Sequence, residues 1–177
     1  MTLSKCRSAR RAWLVLLAGL PLAGPAVAAK AKPAVAALQG VVTQVIDGGS
    51  VRFTPAGQAA ITVRLRDIDP PEPCQPGAAE AKAGLAALAL NKTATLQAGG
   101  HDAQGRTVGV LIADDANIAK RMVEEGYAWS ARGRNDHGPF IKQERMAKAL
   151  GRGVHATAGA VLPRDWRRTR PCAAAAG

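Results

Sequence analysis

The stretch Arg64-Leu65-Arg66-Asp67-Ile68-Asp69-Pro70-Pro71-Glu72 brings an arginine at a strand end and two spaced carboxylates into nine residues. A guanidinium fork matches a phosphate bidentately, and carboxylate oxygens suit a hard cation such as calcium. Asp69 and Glu72 lie on a segment punctuated by Pro70, Pro71, Pro73 and Pro76. Proline donates no ladder hydrogen bond, so a stiff, irregular loop is expected there. A second stretch, Gly99-Gly100-His101-Asp102-Ala103-Gln104-Gly105-Arg106, sets an arginine directly after a glycine and just before a β-rich run. On its own the first stretch reads as a surface salt-bridge cluster, the commoner fate of mixed charges.

The elements that must position these residues follow from periodicity and turn chemistry. Residues 41–46 and 51–53 are β-rich and flank Asp47-Gly48-Gly49-Ser50, a hairpin signal. Residues 61–65 alternate as a third strand, and 93–96 and 107–112 read as a fourth and fifth. Residues 78–90 are Ala-rich without a β-branched residue and read as a helix. Residues 116–125, ended by Gly126, read as a second helix, and 140–150, stopped by Gly151 and Gly153, as a third. Three strands, a helix and two strands fit an α+β, mainly β, five-stranded barrel that closes its own edges. With 3% aromatic residues, its core must be Val, Leu, Ile and Ala.

The chain has 177 residues and a formal charge of +11, from 24 Lys+Arg against 13 Asp+Glu. That excludes a multidomain enzyme, an acidic disordered tail and a polytopic membrane protein. Residues 1–28 read as an export signal. Lys5, Arg7, Arg10 and Arg11 form the basic region, residues 13–22 a short Pro-broken apolar core, and Ala26-Val27-Ala28 the cleavage site. The expected location is secreted or periplasmic, with no stable membrane anchor. Cleavage near Ala28 lowers the net charge to +7, which favours a polyanionic partner. Residues 29–39 then read as a flexible leader, 40–160 as the domain and 161–177 as a basic tail.

Cys74 and Cys172 remain after cleavage, and two cysteines in an oxidising compartment are expected to pair. The pair would staple the tail onto the loop near Glu72. A metal site is the weaker reading, because neither CxxC spacing nor a nearby histidine is present.

Five segments in order resemble the staphylococcal-nuclease (thermonuclease) family. They are residues 45–51, Arg64-Leu65 with residues 68–72, Asp102-Ala103-Gln104-Gly105-Arg106, Glu125-Gly126-Tyr127-Ala128-Trp129 and Pro163-Arg164-Asp165-Trp166-Arg167. The resemblance implies a five-stranded OB-fold barrel with three helices and calcium-dependent cleavage of DNA and RNA phosphodiesters. It implies that Arg64 and Arg106 grip the phosphate and that Glu72 orients or deprotonates the attacking water. It further implies that Asp69 and the Pro70 backbone carbonyl ligate the metal, with Asp47 acting through water.

The family's first turn normally reads Asp-Gly-Asp-Thr, and here the ligand position is Gly49. Fewer anionic ligands weaken a calcium site, so reduced turnover is expected, and Gly49→Asp is expected to raise it. Arg132 and Arg134 stand where the family carries nucleotide-stacking tyrosines, and they are candidate nucleic-acid contacts. Arg167 and Arg168 read as solvating a terminal segment. The expected molecule is a monomeric, exported endonuclease. The alternative is a weak or inactive nucleic-acid- or polyanion-binding module on the same barrel.

Overall fold

The computed structural model describes residues 37–133, 136–170 and 172. The expected signal (1–28) and Arg134 lie outside the described residues. The chain runs β1 (Ala37–Asp47), β2 (Ser50–Pro55), β3 (Ile61–Leu65), β4 (Ile68–Asp69), α1 (Ala78–Ala89), β5 (Thr93–His101) and β6 (Thr107–Ala113). It continues through β7 (Ala116–Asn117), α2 (Ile118–Glu124), β8 (Trp129–Ser130), α3 (Ile141–Ala149), a 3₁₀ turn at Gly153–His155 and α4 (Pro163–Thr169). Among the described residues, no helix is long and apolar enough to cross a membrane.

The strands follow the order β3-β2-β1-β5-β6, and β3 pairs with β6 to close a five-stranded barrel. Every barrel pairing is antiparallel except that closure, which is parallel and sets Arg64 opposite Val108. Short β7 extends the far end of β6, and β4 pairs with β8 outside the barrel. The hairpin turn forms because the Gly49 N–H donates to Asp47 Oδ1 at 2.8 Å, an Asx-type turn that suits this residue pair.

Alternation in the strands turns Val42, Val51, Phe53, Val63, Leu65, Leu96 and Leu111 into the barrel core. Each such side chain contributes about 1.5–3 kcal/mol by leaving water. Helix α1 lays Ala81, Leu85 and Ala89 on this core, and α2 adds Ile118, Ala119, Met122 and Val123. The alanines let α1 approach closely. At Gly84 the Tyr127 ring packs directly on the helix backbone, where a Cβ would collide with it.

Two features differ from the sequence expectation. Strand β1 begins at Ala37, inside the stretch read as leader, because residues 37–41 pair with β5. A fourth helix, α4, occupies the stretch read as tail. It is too short to carry an apolar stripe, but Pro163 fixes its first turn and Asp165 sits favourably near its N-terminus.

Candidate active site

Arg64 is the penultimate residue of β3 on the parallel seam, and Arg106 stands immediately before β6, so barrel closure brings both arginines to one rim. They line a cleft of about 400 Å³ together with Asp47, Glu72, Gln104 and Arg167, and Pro70, Pro71 and Pro73 form its wall. The three residues with expected phosphate and base roles therefore share one cavity.

Each is held differently. Arg64 Nη1 lies 3.9 Å from Asp47 Oδ1. Desolvation lowers the Arg64 pKa, Asp47 pulls it back up and Arg106 pushes it further down. An arginine so placed stays charged at neutral pH. Arg106 Nε donates to Asp102 Oδ2 at 2.7 Å, the Arg106 backbone N–H donates to Asp102 Oδ1 at 2.9 Å, and Nη1 donates to Ser50 Oγ at 3.2 Å. Desolvation alone would raise the Asp102 pKa. The hydrogen bonds and charge of Arg106 outweigh it and hold that pKa below the ordinary value.

Glu72 is fixed from its backbone. Its N–H donates to Gln75 Oε1 at 3.1 Å. Gln75 is buried and donates through Nε2 to the Val161 carbonyl at 2.7 Å. Gln75 was not singled out in the sequence, because a lone glutamine in a Pro-rich loop carries no motif.

Arg167 was expected to be solvated. Instead its Nη1 donates to Asp69 Oδ1 at 3.2 Å and also pairs with Glu72 Oε1. Burial alone would lower the Arg167 pKa, but Glu72 and Asp69 outweigh it and raise it. The Cys74–Cys172 disulfide carries α4 to this place. Trp166 Nε1 adds a contact to Cys74 Sγ at 3.4 Å.

The expected calcium ligands fit an ion poorly. Among the described residues, no three His, Cys, Asp or Glu side chains converge on a metal-sized site. Asp69 Oδ1 is already engaged by Arg167. Asp47 Oδ1 accepts the Gly49 N–H. Asp67, in the left-handed region at φ 70, pairs with Arg66. At position 49 a Cβ would overlap Arg64 Nη1 and come within 2.9 Å of Pro70 Cγ. A carboxylate introduced at position 49 would therefore have to turn the flexible end of Arg64 aside.

Arg132 lies beside a neighbouring cleft of about 230 Å³ that also touches Asp69, Arg164 and Arg167. Its Nη2 is engaged by Glu144, which is fully buried and also accepts from the Ser130 N–H (3.0 Å) and Lys148 Nζ (2.6 Å). Burial would raise the Glu144 pKa, but Lys148, the Ser130 N–H and Arg132 hold it down.

The family described as "Staphylococcal nuclease homologue" matches residues 62–156. An uncharacterized endonuclease of Haemophilus influenzae is 32% identical over 128 residues, 72% of this chain and 71% of that protein. A micrococcal nuclease of Shigella flexneri is 31% identical over 147 residues, 77% of this chain and 84% of that one. A probable staphylococcal-like nuclease of Oryza sativa subsp. japonica is 33% identical over 106 residues, 60% of this chain, which spans only 28% of that protein's length. The matched span includes Arg64, Glu72 and Arg106, and these relatives carry nuclease names; the chain belongs to the staphylococcal nuclease homologue family.

Proposed function

We propose that the chain is an endonuclease that hydrolyses DNA or RNA phosphodiesters in the cleft shared by Arg64, Glu72 and Arg106. The shared cleft is the observation that carries this reading. Arg64 and Arg106 hold the two non-bridging phosphoryl oxygens, and their charges offset the extra negative charge of the five-coordinate transition state. Preorganised donors of this kind are worth roughly 3–4 kcal/mol each. Glu72 takes a proton from water as the water oxygen bonds to phosphorus. The bond to the leaving oxygen breaks, and that oxygen takes a proton from solvent. Nucleases of this family are generally calcium-dependent, but the donor set here gives no basis for routing a step through calcium.

We further propose that residues 1–28 are an export signal cleaved near Ala28. The three-part pattern supports it, and so does a disulfide, which persists in oxidising compartments. Mass measurement of protein recovered from the cell envelope checks it; an intact N-terminus counts against it.

The catalytic reading is tested by acid-soluble nucleotide release from DNA and RNA, comparing the native chain with Glu72→Gln. Release that falls by about 10²-fold or more in the variant is expected for loss of a general base. Binding without release would favour the polyanion-binding module, a reading that the engagement of Glu72 Oε1 by Arg167 also favours.

A further inference from the structure

We infer that Arg167 takes the place of a divalent cation in this cleft, so that phosphate binding is completed by a protein guanidinium delivered through the Cys74–Cys172 disulfide. The inference rests on the phosphodiesterase reading above.

Three observations converge. First, Arg167 Nη1 bridges Asp69 and Glu72, two carboxylates that would otherwise face an incoming phosphate with like charge. Its Nε and Nη2 make no hydrogen bond among the described residues, and the side chain is 49% exposed. The rest of the fork is therefore free to meet a phosphate oxygen. Second, the space beside Gly49 is filled by the Arg64 guanidinium, which a Cβ there would overlap, so a carboxylate at position 49 would first have to turn that side chain aside. Both changes run the same way: an anionic ligand is replaced by space for a cationic side chain, and a cation arrives on the remaining carboxylates.

Third, α4 is tied down. The disulfide joins Cys172 to Cys74, two residues beyond Glu72. Trp166 Nε1 reaches Cys74 Sγ at 3.4 Å, and Gln75 holds the Val161 carbonyl at 2.7 Å. A solvated tail would not need such ties. The resulting cleft sets Arg64, Arg106 and Arg167 against Asp47 and Glu72, and Arg167 also reaches Asp69 on the edge of the neighbouring cleft, so both carboxylates it bridges are already neutralised by a protein cation. A guanidinium orients and neutralises, but it is no Lewis acid and does not acidify a bound water as a metal does. The site it completes grips a phosphodiester and turns it over slowly.

The experiment measures fluorescence anisotropy of a labelled phosphorothioate oligonucleotide, in EDTA and in calcium, alongside nucleotide release from DNA. For the native chain, Kd is expected to agree within about threefold between the two conditions. Arg167→Gln is expected to weaken binding in EDTA at least tenfold and to gain calcium dependence, because Asp69 and Glu72 are freed. Arg167→Lys keeps the charge without the fork and should fall between. Arg168→Gln removes the same charge from a side chain that, among the described residues, pairs with Asp165 alone, and should change Kd less than twofold. Native binding or cleavage that appears only with calcium overturns the inference and leaves the nuclease reading standing. Equal weakening by Arg168→Gln also overturns it, reducing the effect to diffuse charge. Absence of binding and cleavage in both conditions overturns the nuclease reading itself, and this inference with it.

Discussion

Asp102 holds Arg106 twice, at the Nε of its guanidinium and at its backbone N–H, from the far side of a tight turn. The carboxylate thus aims the guanidinium proposed to grip phosphate, without itself lining the cleft. Asp102→Asn should keep the turn's acceptor but loosen the guanidinium, raising KM and lowering nucleotide release by about tenfold, because the charge-assisted bond that aims Arg106 is lost. Steady-state kinetics on DNA read this out. The Asp102 pKa is depressed in the fold, so its contribution is complete above the unfolded value of about 3.9. It is lost only as pH falls through the lower folded value.

Glu144 is a structural anchor, fully buried with Arg132, Lys148 and the Ser130 N–H around it. Removing one member of a buried pair costs about 3–5 kcal/mol. Glu144→Ala should therefore lower the urea midpoint sharply. Because Glu144 is also held below the ordinary carboxylate range, its stabilisation should persist down to about pH 4.3 and fade only below that. Urea melts at several pH values measure both effects. Arg132→Gln should accordingly shift the melting midpoint more than it shifts oligonucleotide affinity.

The disulfide closes a loop between residues 98 apart in sequence. A chain-entropy account assigns a loop of that size about 4.7 kcal/mol. Reduction by dithiothreitol, or Cys74→Ser with Cys172→Ser, should lower the thermal midpoint. It should also reproduce the Arg167→Gln binding defect, since it releases α4 from the Glu72 loop. A lowered midpoint with unchanged affinity would separate stapling from delivery of Arg167.

Gly49→Asp alone should weaken oligonucleotide binding, because the new side chain displaces Arg64. Combined with Arg167→Gln, it should tighten the calcium binding that Arg167→Gln alone opens, measured by isothermal titration calorimetry, since the introduced carboxylate then joins Asp69 and Glu72.

The barrel was legible because strand alternation and the Asp-Gly-Gly-Ser turn are local signals that tertiary packing reinforced. The meeting of Arg64, Glu72 and Arg106 could be anticipated through the family resemblance their motifs carry, whereas the residues around Arg64 alone read as a surface salt-bridge cluster. The partner of Arg167 could not, since 95 residues separate it from Glu72 and only the tertiary fold brings them together. Its one sequence signal was Cys74, close behind Glu72, with Cys172 close behind Arg167. Glu144 escaped notice for another reason. On a helix otherwise rich in charge, nothing in the local pattern marks which carboxylate turns inward.

The parallel seam between β3 and β6 has a temporal meaning as well as a spatial one. Residues 63–65 pair with residues 107–109 across the intervening α1 and β5, and closing a loop of that length costs entropy before its contacts repay it. A nascent or still-extended chain carries both arginines but no jaw between them. The cleft they share exists only where that seam is closed.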